Sequence, residues 1–199
     1  GIGWLNNKSL CLYKHDLPIW NDLNLNYITS SIASGLIIGN VRSATISDNL
    51  GYINTHPFQF ENLLFSHNGF INQFTINTRV VLESYLDTFY LNQIKGRTDS
   101  ELIFYLIIKF FKKSNDMINS IKKTIEIITE NSQSSMLNFI IASHDKVGNK
   151  KLYATRIGLN AKPPSLYYNF KKKHGYIISS EKLNNNSWQS VENYSLLAY

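Results

Sequence analysis

The stretch TDSELIFYLIIKFF, residues 98–111, decides how this chain is expected to fold. It opens with a capping box, in which Thr98 is the helix N-cap and Glu101 follows three residues later. The residues after Glu101 are apolar almost all round, and a helix that is apolar on every side is normally buried. We therefore expect a helix that begins at Thr98 and packs between layers of the protein.

The segments on either side of this helix predict the rest of the fold. A second helix is expected over about residues 77–94, ended by Gly96, and a third begins near Ser114. Short runs of branched and aromatic residues, separated by turn residues, predict strands before and after the helices. These runs are residues 1–5, 10–14, 35–42, 60–67, 136–143, 151–156, 165–168, 176–180 and 195–199. The order of strands, helices and strands indicates a single α+β layered domain over residues 1–199, with largely antiparallel sheets.

Composition narrows the classes of function. The formal net charge is +6, but the lysines are scattered and no nucleic-acid-binding motif accompanies them, so no nucleic-acid partner is expected. The single cysteine, Cys11, excludes an internal disulfide and a multi-cysteine metal site, and we predict no cofactor and no metal. The longest apolar run, residues 102–108, is too short to span a bilayer, so no membrane partner is expected. A cytoplasmic location fits the single free cysteine.

Arg42 is the first candidate for ligand binding. It ends an apolar run, and a guanidinium at a strand end can bind a carboxylate through two parallel hydrogen bonds. Thr45 could add a hydroxyl to the same ligand. The alternative, a structural ion pair between Arg42 and a nearby carboxylate, is equally compatible with the sequence.

Two further candidates each have a structural and a functional interpretation. Asn68-Gly69 is a strong hairpin signal, and composition alone favours that interpretation, yet an amide side chain beside a glycine N–H also forms an oxyanion hole. His67, just before this pair, is more often a histidine with its hydrogen bonds satisfied than a catalytic base. Asp99 either compensates the dipole of the helix that it begins or receives a substrate ammonium, and the sequence around it favours the dipole.

The order of these motifs resembles that of the class II glutamine amidotransferases, which are N-terminal-nucleophile hydrolases. The closest resemblance is to the γ-glutamyl amidohydrolases of ergothioneine biosynthesis and Dug-type glutathione degradation. The motifs that carry it, in chain order, are Gly1-Ile2-Gly3-Trp4, Val41-Arg42-Ser43-Ala44-Thr45, His56-Pro57-Phe58, His67-Asn68-Gly69 and Thr98-Asp99-Ser100-Glu101. Asn40 and Ser43 depart from the family pattern, which commonly has His and Ala there.

The resemblance implies a fold, a substrate and a set of roles. The fold is a four-layer αββα sandwich, incomplete at the N-terminus. Arg42 and Thr45 are expected to hold the α-carboxylate of a small-molecule γ-glutamyl substrate, and Asp99 its α-ammonium. The Asn68 side chain and the Gly69 backbone N–H are expected to form the oxyanion hole.

The resemblance also implies a nucleophile that this chain does not contain. In this family an N-terminal cysteine attacks the amide and its own α-amine is the base. By the order of the family's motifs, we expect the nucleophile a few dozen residues before Gly1. Cys11 lies inside a predicted strand and is a poor substitute, so we expect the 199 residues alone to be inactive. The intact protein is expected to hydrolyse glutamine or a γ-glutamyl conjugate through a cysteinyl thioester, with a partner subunit or a homo-oligomer both compatible. The alternatives are a catalytically inactive γ-glutamyl-binding or regulatory module and, more remotely, a basic nucleic-acid-binding domain.

Overall fold

The structure, a computed structural model, describes residues 1–42, 51–172, 175–185 and 187–199. Its strands are β1 (Ile2–Asn6), β2 (Ser9–Tyr13), β3 (Ile37–Gly39), β4 (Phe58–Phe60), β5 (Leu63–Ile71), β6 (Ser135–His144), β7 (Lys150–Arg156), β8 (Gly158–Leu159), β9 (Tyr167–Lys171), β10 (Gly175–Ser179), β11 (Gln189–Ser190) and β12 (Ser195–Ala198). Its α-helices are α1 (Leu25–Ser31), α2 (Ile76–Glu83), α3 (Thr88–Leu91), α4 (Asp99–Ser114) and α5 (Met117–Glu130). Each predicted run of strand residues therefore contains or overlaps a strand.

The strands form three sheets. The central sheet has six strands in the order β12-β7-β6-β5-β4, with β8 paired to β6. The first small sheet has the order β2-β1-β3 and the second small sheet the order β10-β9-β11. All pairings among the described residues are antiparallel, as the sequence predicts.

The central sheet has a different partner on each face. The helices α4 and α5 pack on one face, where Phe65, Phe104 and Phe139 belong to the largest cluster of buried apolar side chains. The first small sheet packs on the other face through Leu5, Ile38 and Leu64, and the second through a separate cluster that contains Ala154, Leu166 and Val191. The result is a helix layer, a central sheet and a layer made of the two small sheets.

Helix α4 follows the prediction made from residues 98–111. The Thr98 hydroxyl accepts a hydrogen bond from the Glu101 N–H at 3.3 Å, and every residue from 100 to 108 is buried. The Glu101 carboxylate, however, does not bond back to Thr98. It accepts hydrogen bonds from Lys95 N at 2.9 Å and Gly96 N at 2.7 Å, and so it fixes the loop that precedes the helix. The helix ends at Ser114, and the C-cap residue Asn115 has a left-handed φ of 54°, which asparagine tolerates.

The predicted helix over residues 77–94 is wrong in one respect, because it is two helices. Helix α2 ends at Glu83, and Asp87, with φ −81° and ψ 158°, is the extended residue from which α3 starts. This turn lets Leu82 and Leu86 both lie in the core, at 1% and 7% exposure. Among the described residues, no helix is long and apolar enough to cross a membrane.

Candidate functional site

Strand β5 carries the predicted Asn68-Gly69 pair in its interior, not in a hairpin. Asn68 lies opposite Asn138 of β6, and Gly69 lies opposite Leu137. The hairpin interpretation is therefore wrong. Pairing with β6 continues to Ile71, opposite Ser135, so β6 holds the Asn-Gly pair in an extended strand against its local turn preference.

The alternation of side chains along β5 places Asn68 on the small-sheet face. Leu64 packs against the first small sheet, whereas Phe65 packs against the helices. Because successive side chains point to opposite faces, Asn68 shares the face of Leu64, and His67 shares that of Phe65. Leu64 is fully buried, but Asn68 is exposed and Phe70 is 44% exposed. This face therefore opens to solvent toward the end of β5, where Asn68 lies.

The same strand leaves the Gly69 N–H on its outer edge. Asn72 N donates to Ser134 O at 3.0 Å on the β6 side, whereas Ile71 N donates to the Asp99 carboxylate at 2.8 Å. N–H groups alternate in direction along a strand, so the Gly69 N–H points, like that of Ile71, away from β6. Strand β4 pairs only with residues 63–65 on that side, so it does not cover Gly69.

Gly69 is a glycine because its neighbours leave no room for a side chain. A Cβ at this position would lie 1.9 Å from Met136 O and 2.8 Å from His67 Nε2. Both distances are far below van der Waals contact. The backbone of β6 therefore approaches the strand closely at the point where the oxyanion hole is predicted.

Asp99 lies at the first position of α4, close to the end of β5. Its carboxylate accepts hydrogen bonds from Ile71 N at 2.8 Å and from Ser100 N at 2.7 Å. A carboxylate offers about four acceptor positions, so a ligand can still bind to it. The helix N-terminus stabilises its negative charge.

His67 joins β5, β6 and α4, and it is not free to act as a base. Its Nε2 lies 3.0 Å from Met136 O, a group that can only accept, so Nε2 carries the proton and Nδ1 accepts from Ser100 Oγ at 2.9 Å. Burial lowers the pKa of His67; the Asp99 charge and the Met136 carbonyl oppose this shift, and Arg42 adds to it. The interpretation of His67 as a satisfied histidine is confirmed.

Arg42 lies three residues beyond β3 and borders an open cavity of about 880 Å³. Its Nη1 donates to Asn54 O at 3.4 Å, and its side chain makes no ion pair with a carboxylate of the described residues. The guanidinium is exposed and keeps donors for a ligand. Thr45, its predicted neighbour in the substrate site, lies outside the described residues, as does Ser43.

Sequence reasoning missed Asn54, and it gave His56 no role beyond its place in the His56-Pro57-Phe58 motif. Asn54 binds Arg42 through its carbonyl and packs against Gly96, where a Cβ would lie 2.1 Å from Asn54 Oδ1. His56 is 1% exposed, and both of its ring nitrogens are buried without a hydrogen-bond partner. Burial holds the pKa of His56 well below its usual value, and His67 and Arg42 add to this shift. Asn54 carries no sequence signal of its own, and the burial of His56 depends on tertiary packing that its motif does not specify.

Cys11 lies on the wrong face of its sheet to reach Asn68. It is half-buried in β2, between Leu10 and Leu12, which both pack toward the central sheet. Side-chain alternation therefore directs the Cys11 thiol to the opposite face. The expectation of a half-buried strand cysteine is confirmed. Among the described residues, no group of three or more His, Cys, Asp or Glu side chains is arranged to hold a metal ion.

Comparison with known proteins identifies the family. The chain matches the class II glutamine amidotransferases over residues 1–153, and it belongs to that family. The resemblance stated from the sequence motifs is confirmed. A related protein is the probable glutamine amidotransferase DUG3 of Saccharomyces cerevisiae, which is 38% identical over 109 residues, covering 55% of this chain and 30% of the yeast protein.

Two further comparisons concern an archaeal protein and the fold. An uncharacterized protein of Methanocaldococcus jannaschii is 25% identical over 197 residues, covering 85% of this chain and 51% of that protein. The chain thus spans 30% of the length of the yeast relative and 51% of that of the archaeal relative. A glutamine aminotransferase class-II domain protein from Silicibacter pomeroyi has a solved structure that aligns with a TM-score of 0.77 and 20% identity, covering 99% of this chain and 85% of that one. The predicted α+β sandwich of the class II glutamine amidotransferase type is thereby confirmed. Of the four αββα layers expected, the layers described above are one helix layer and two sheet layers.

Proposed function

We propose that this chain forms the glutamyl-binding and oxyanion-stabilising part of an enzyme that hydrolyses a γ-glutamyl amide bond. Membership of the glutamine amidotransferase family supports amide hydrolysis in general. The observation that carries the finer proposal is the arrangement on β5. Within four residues, this strand presents the exposed Asn68 amide, the outward Gly69 N–H and the Ile71 N–H that holds Asp99.

The amino-acid end of the substrate carries a carboxylate and an ammonium, and each is bound by a group of opposite charge. In the proposed complex, Arg42 and Thr45 bind the α-carboxylate and Asp99 binds the α-ammonium. Arg42 supports this role because its guanidinium is exposed and not paired with a carboxylate of the described chain. Asp99 supports it because its position is fixed by Ile71 N and Ser100 N while acceptor positions remain.

The carbonyl end is placed by two neutral donors. Asn68 Nδ2 and the Gly69 N–H bind the oxygen of the scissile amide, and their bonds strengthen as that oxygen becomes an anion. We propose that a cysteine upstream of Gly1 is the nucleophile. Its sulfur bonds to the amide carbon, its proton passes through its own α-amine to the leaving nitrogen, and the C–N bond breaks to give a thioester. Water then attacks the thioester, which releases glutamate and restores the thiol.

The alternative proposal is a catalytically inactive module that binds γ-glutamyl compounds. The same Arg42 and Asp99 geometry would serve it, so binding alone does not separate the two. A basic nucleic-acid-binding domain remains a remote alternative, and it predicts polyanion affinity that falls steeply with salt.

The test uses the full natural protein, L-glutamine and γ-glutamyl amides as substrates, and L-glutamate as a binding probe in calorimetry. We expect turnover, and we expect Asp99→Asn to weaken L-glutamate binding by roughly 30-fold or more, because a charge-assisted hydrogen bond is lost. Asp116→Asn is the matched control, since Asp116 also begins a helix but caps α5. Binding without turnover would favour the inactive module. If L-glutamate does not bind, or if both variants weaken its binding equally, the proposal is wrong.

A further inference from the structure

Asn138, on β6, has a buried acceptor that the fold leaves without a partner. The residue is 4% exposed. Its Nδ2 donates to Pro164 O at 2.9 Å, whereas its Oδ1 is buried and accepts no hydrogen bond. Because a carbonyl cannot donate, the amide cannot flip without placing two acceptors together, so this orientation of Asn138 is fixed.

The strand register places this acceptor beside Asn68. Asn138 is the direct cross-strand partner of Asn68, so the two side chains lie on the same face of the central sheet. Leu137 N donates to Ile157 O and Phe139 N to Thr155 Oγ1, so both point away from β5. Asn68 and Asn138 are therefore a hydrogen-bonded pair of the ladder, with their Cα atoms about 5.5 Å apart. Two asparagine side chains at that separation can reach each other.

We propose that Asn138 positions the Asn68 amide for catalysis. Asn138 Oδ1 has no donor in the structure, and a rotation of the exposed Asn68 side chain lets it accept one of the two Nδ2 hydrogens of Asn68. This bond turns the second hydrogen toward the substrate carbonyl. The inference rests on the proposed function, in which Asn68 is an oxyanion donor. Asn138 does not touch the substrate, so it acts as a positioning residue. An exposed asparagine alone would sample several rotamers, and a fixed acceptor opposite it reduces that freedom before the substrate binds.

A second asparagine shows that an unpartnered acceptor alone does not mark a functional residue. Asn169, on β9, is 7% exposed, donates its Nδ2 to Ser187 O, and also leaves its Oδ1 buried without a partner. It lies in the second small sheet, where β10 and β11 flank it. The position opposite Asn68 is what distinguishes Asn138, and Asn169 is its matched control.

The first measurement tests the contact itself and needs no activity. The side-chain NH₂ signals of Asn68 are identified in the ¹⁵N NMR spectrum of the full natural protein by their loss in Asn68→Asp. We expect Asn138→Leu to shift one of these two proton signals toward the value of a free amide, whereas Asn169→Leu leaves both in place. Asn138→Ala serves if leucine does not fit. Asn68 signals that stay unchanged in the Asn138 variants would overturn the proposal.

The second measurement tests the consequence for the reaction. With a γ-glutamyl amide as substrate, we expect Asn138→Leu to lower kcat roughly tenfold or more, with KM and L-glutamate affinity unchanged, because the bond matters most in the transition state. Asn169→Leu should keep kcat within about twofold of wild type. In an Asn68→Ala background, Asn138→Leu should have no further effect. An equal loss in that background would overturn the positioning role. A wild-type protein without turnover or L-glutamate binding refutes the proposed function instead, while the NMR result still decides the contact.

Discussion

The close approach of Met136 to Gly69 makes Gly69→Ala the sharpest test of this geometry. A Cβ at residue 69 would lie 1.9 Å from Met136 O, whereas ordinary contact begins at 3.4 Å, so the two strands must separate locally by about 1.5 Å. Met136 lies in β6, which is held by β5, β7 and β8 and so cannot move freely. The methyl group also meets His67 Nε2 at 2.8 Å and disturbs its bond to Met136 O.

We expect Gly69→Ala to lower the free energy of unfolding by about 3 kcal/mol or more, at the upper end of overpacking costs. For a chain of this size, the melting temperature should fall by roughly 6–12 °C. Gly39→Ala is the control, because a Cβ there meets nothing within 4 Å. That change should be neutral or stabilise by up to about 1 kcal/mol, since alanine restricts the unfolded chain. Urea unfolding followed by far-UV circular dichroism measures both, and a Gly69→Ala protein within about 0.5 kcal/mol of wild type would refute the packing argument.

Three further predictions concern the cap of α4, the buried histidines and the cysteine. Thr98→Ala removes the hydroxyl that accepts from Glu101 N, and we expect urea unfolding to show a loss of about 0.5–2 kcal/mol. The pKa values of His56 and His67 are lowered by burial in the folded state, so the unfolded chain binds more protons as pH falls below about 6.5. The contribution of these two histidines to the free energy of unfolding should thus be fully present above that pH. Below it, the free energy of unfolding should decline by at most about 1.4 kcal/mol per pH unit for each histidine. His56→Leu should flatten the profile of urea midpoints between about pH 5 and pH 8, and an unchanged profile would contradict this. Cys11→Ser should leave γ-glutamyl turnover by the full natural protein within about twofold of wild type, because Cys11 faces away from Asn68; a loss of turnover would place the thiol in the reaction.

Local chemistry was sufficient to predict α4. Thr98 and the apolar run after it specify the start of the helix and its burial without any knowledge of the rest of the chain. The break between α2 and α3 was not predictable in the same way. It depends on burying Leu82 and Leu86 together, which is a tertiary requirement that helix propensity does not contain.

In the candidate site, too, some residues have a local sequence signal and others depend on tertiary structure. Residue type and position made Arg42 and Asp99 candidates, and the family resemblance gave them their expected ligand roles. The structure adds that Arg42 makes no ion pair among the described residues and that Asp99 is held by Ile71 N. Asn68-Gly69 predicted a hairpin wrongly, because the local turn preference of this pair does not include its pairing with β6. Asn138 gave no signal at all. Its significance lies in a register that joins residues 70 positions apart, and a register is a property of the folded sheet.

Strand β5 carries Asn68 and Gly69 and holds Asp99, so it organises three of the five residues of the candidate site. Its side chains alternate, so His67 binds α4 while Asn68 faces the open side of the sheet. Its N–H groups alternate in the perpendicular direction, so Gly69 and Ile71 direct theirs to the free edge, where one meets Asp99. A shift of one residue in register would exchange these faces and separate the oxyanion donors from Asp99. The β5–β6 register, which fixes Gly69 against Met136 and Asn68 against Asn138, is therefore the structural feature on which the proposed chemistry depends.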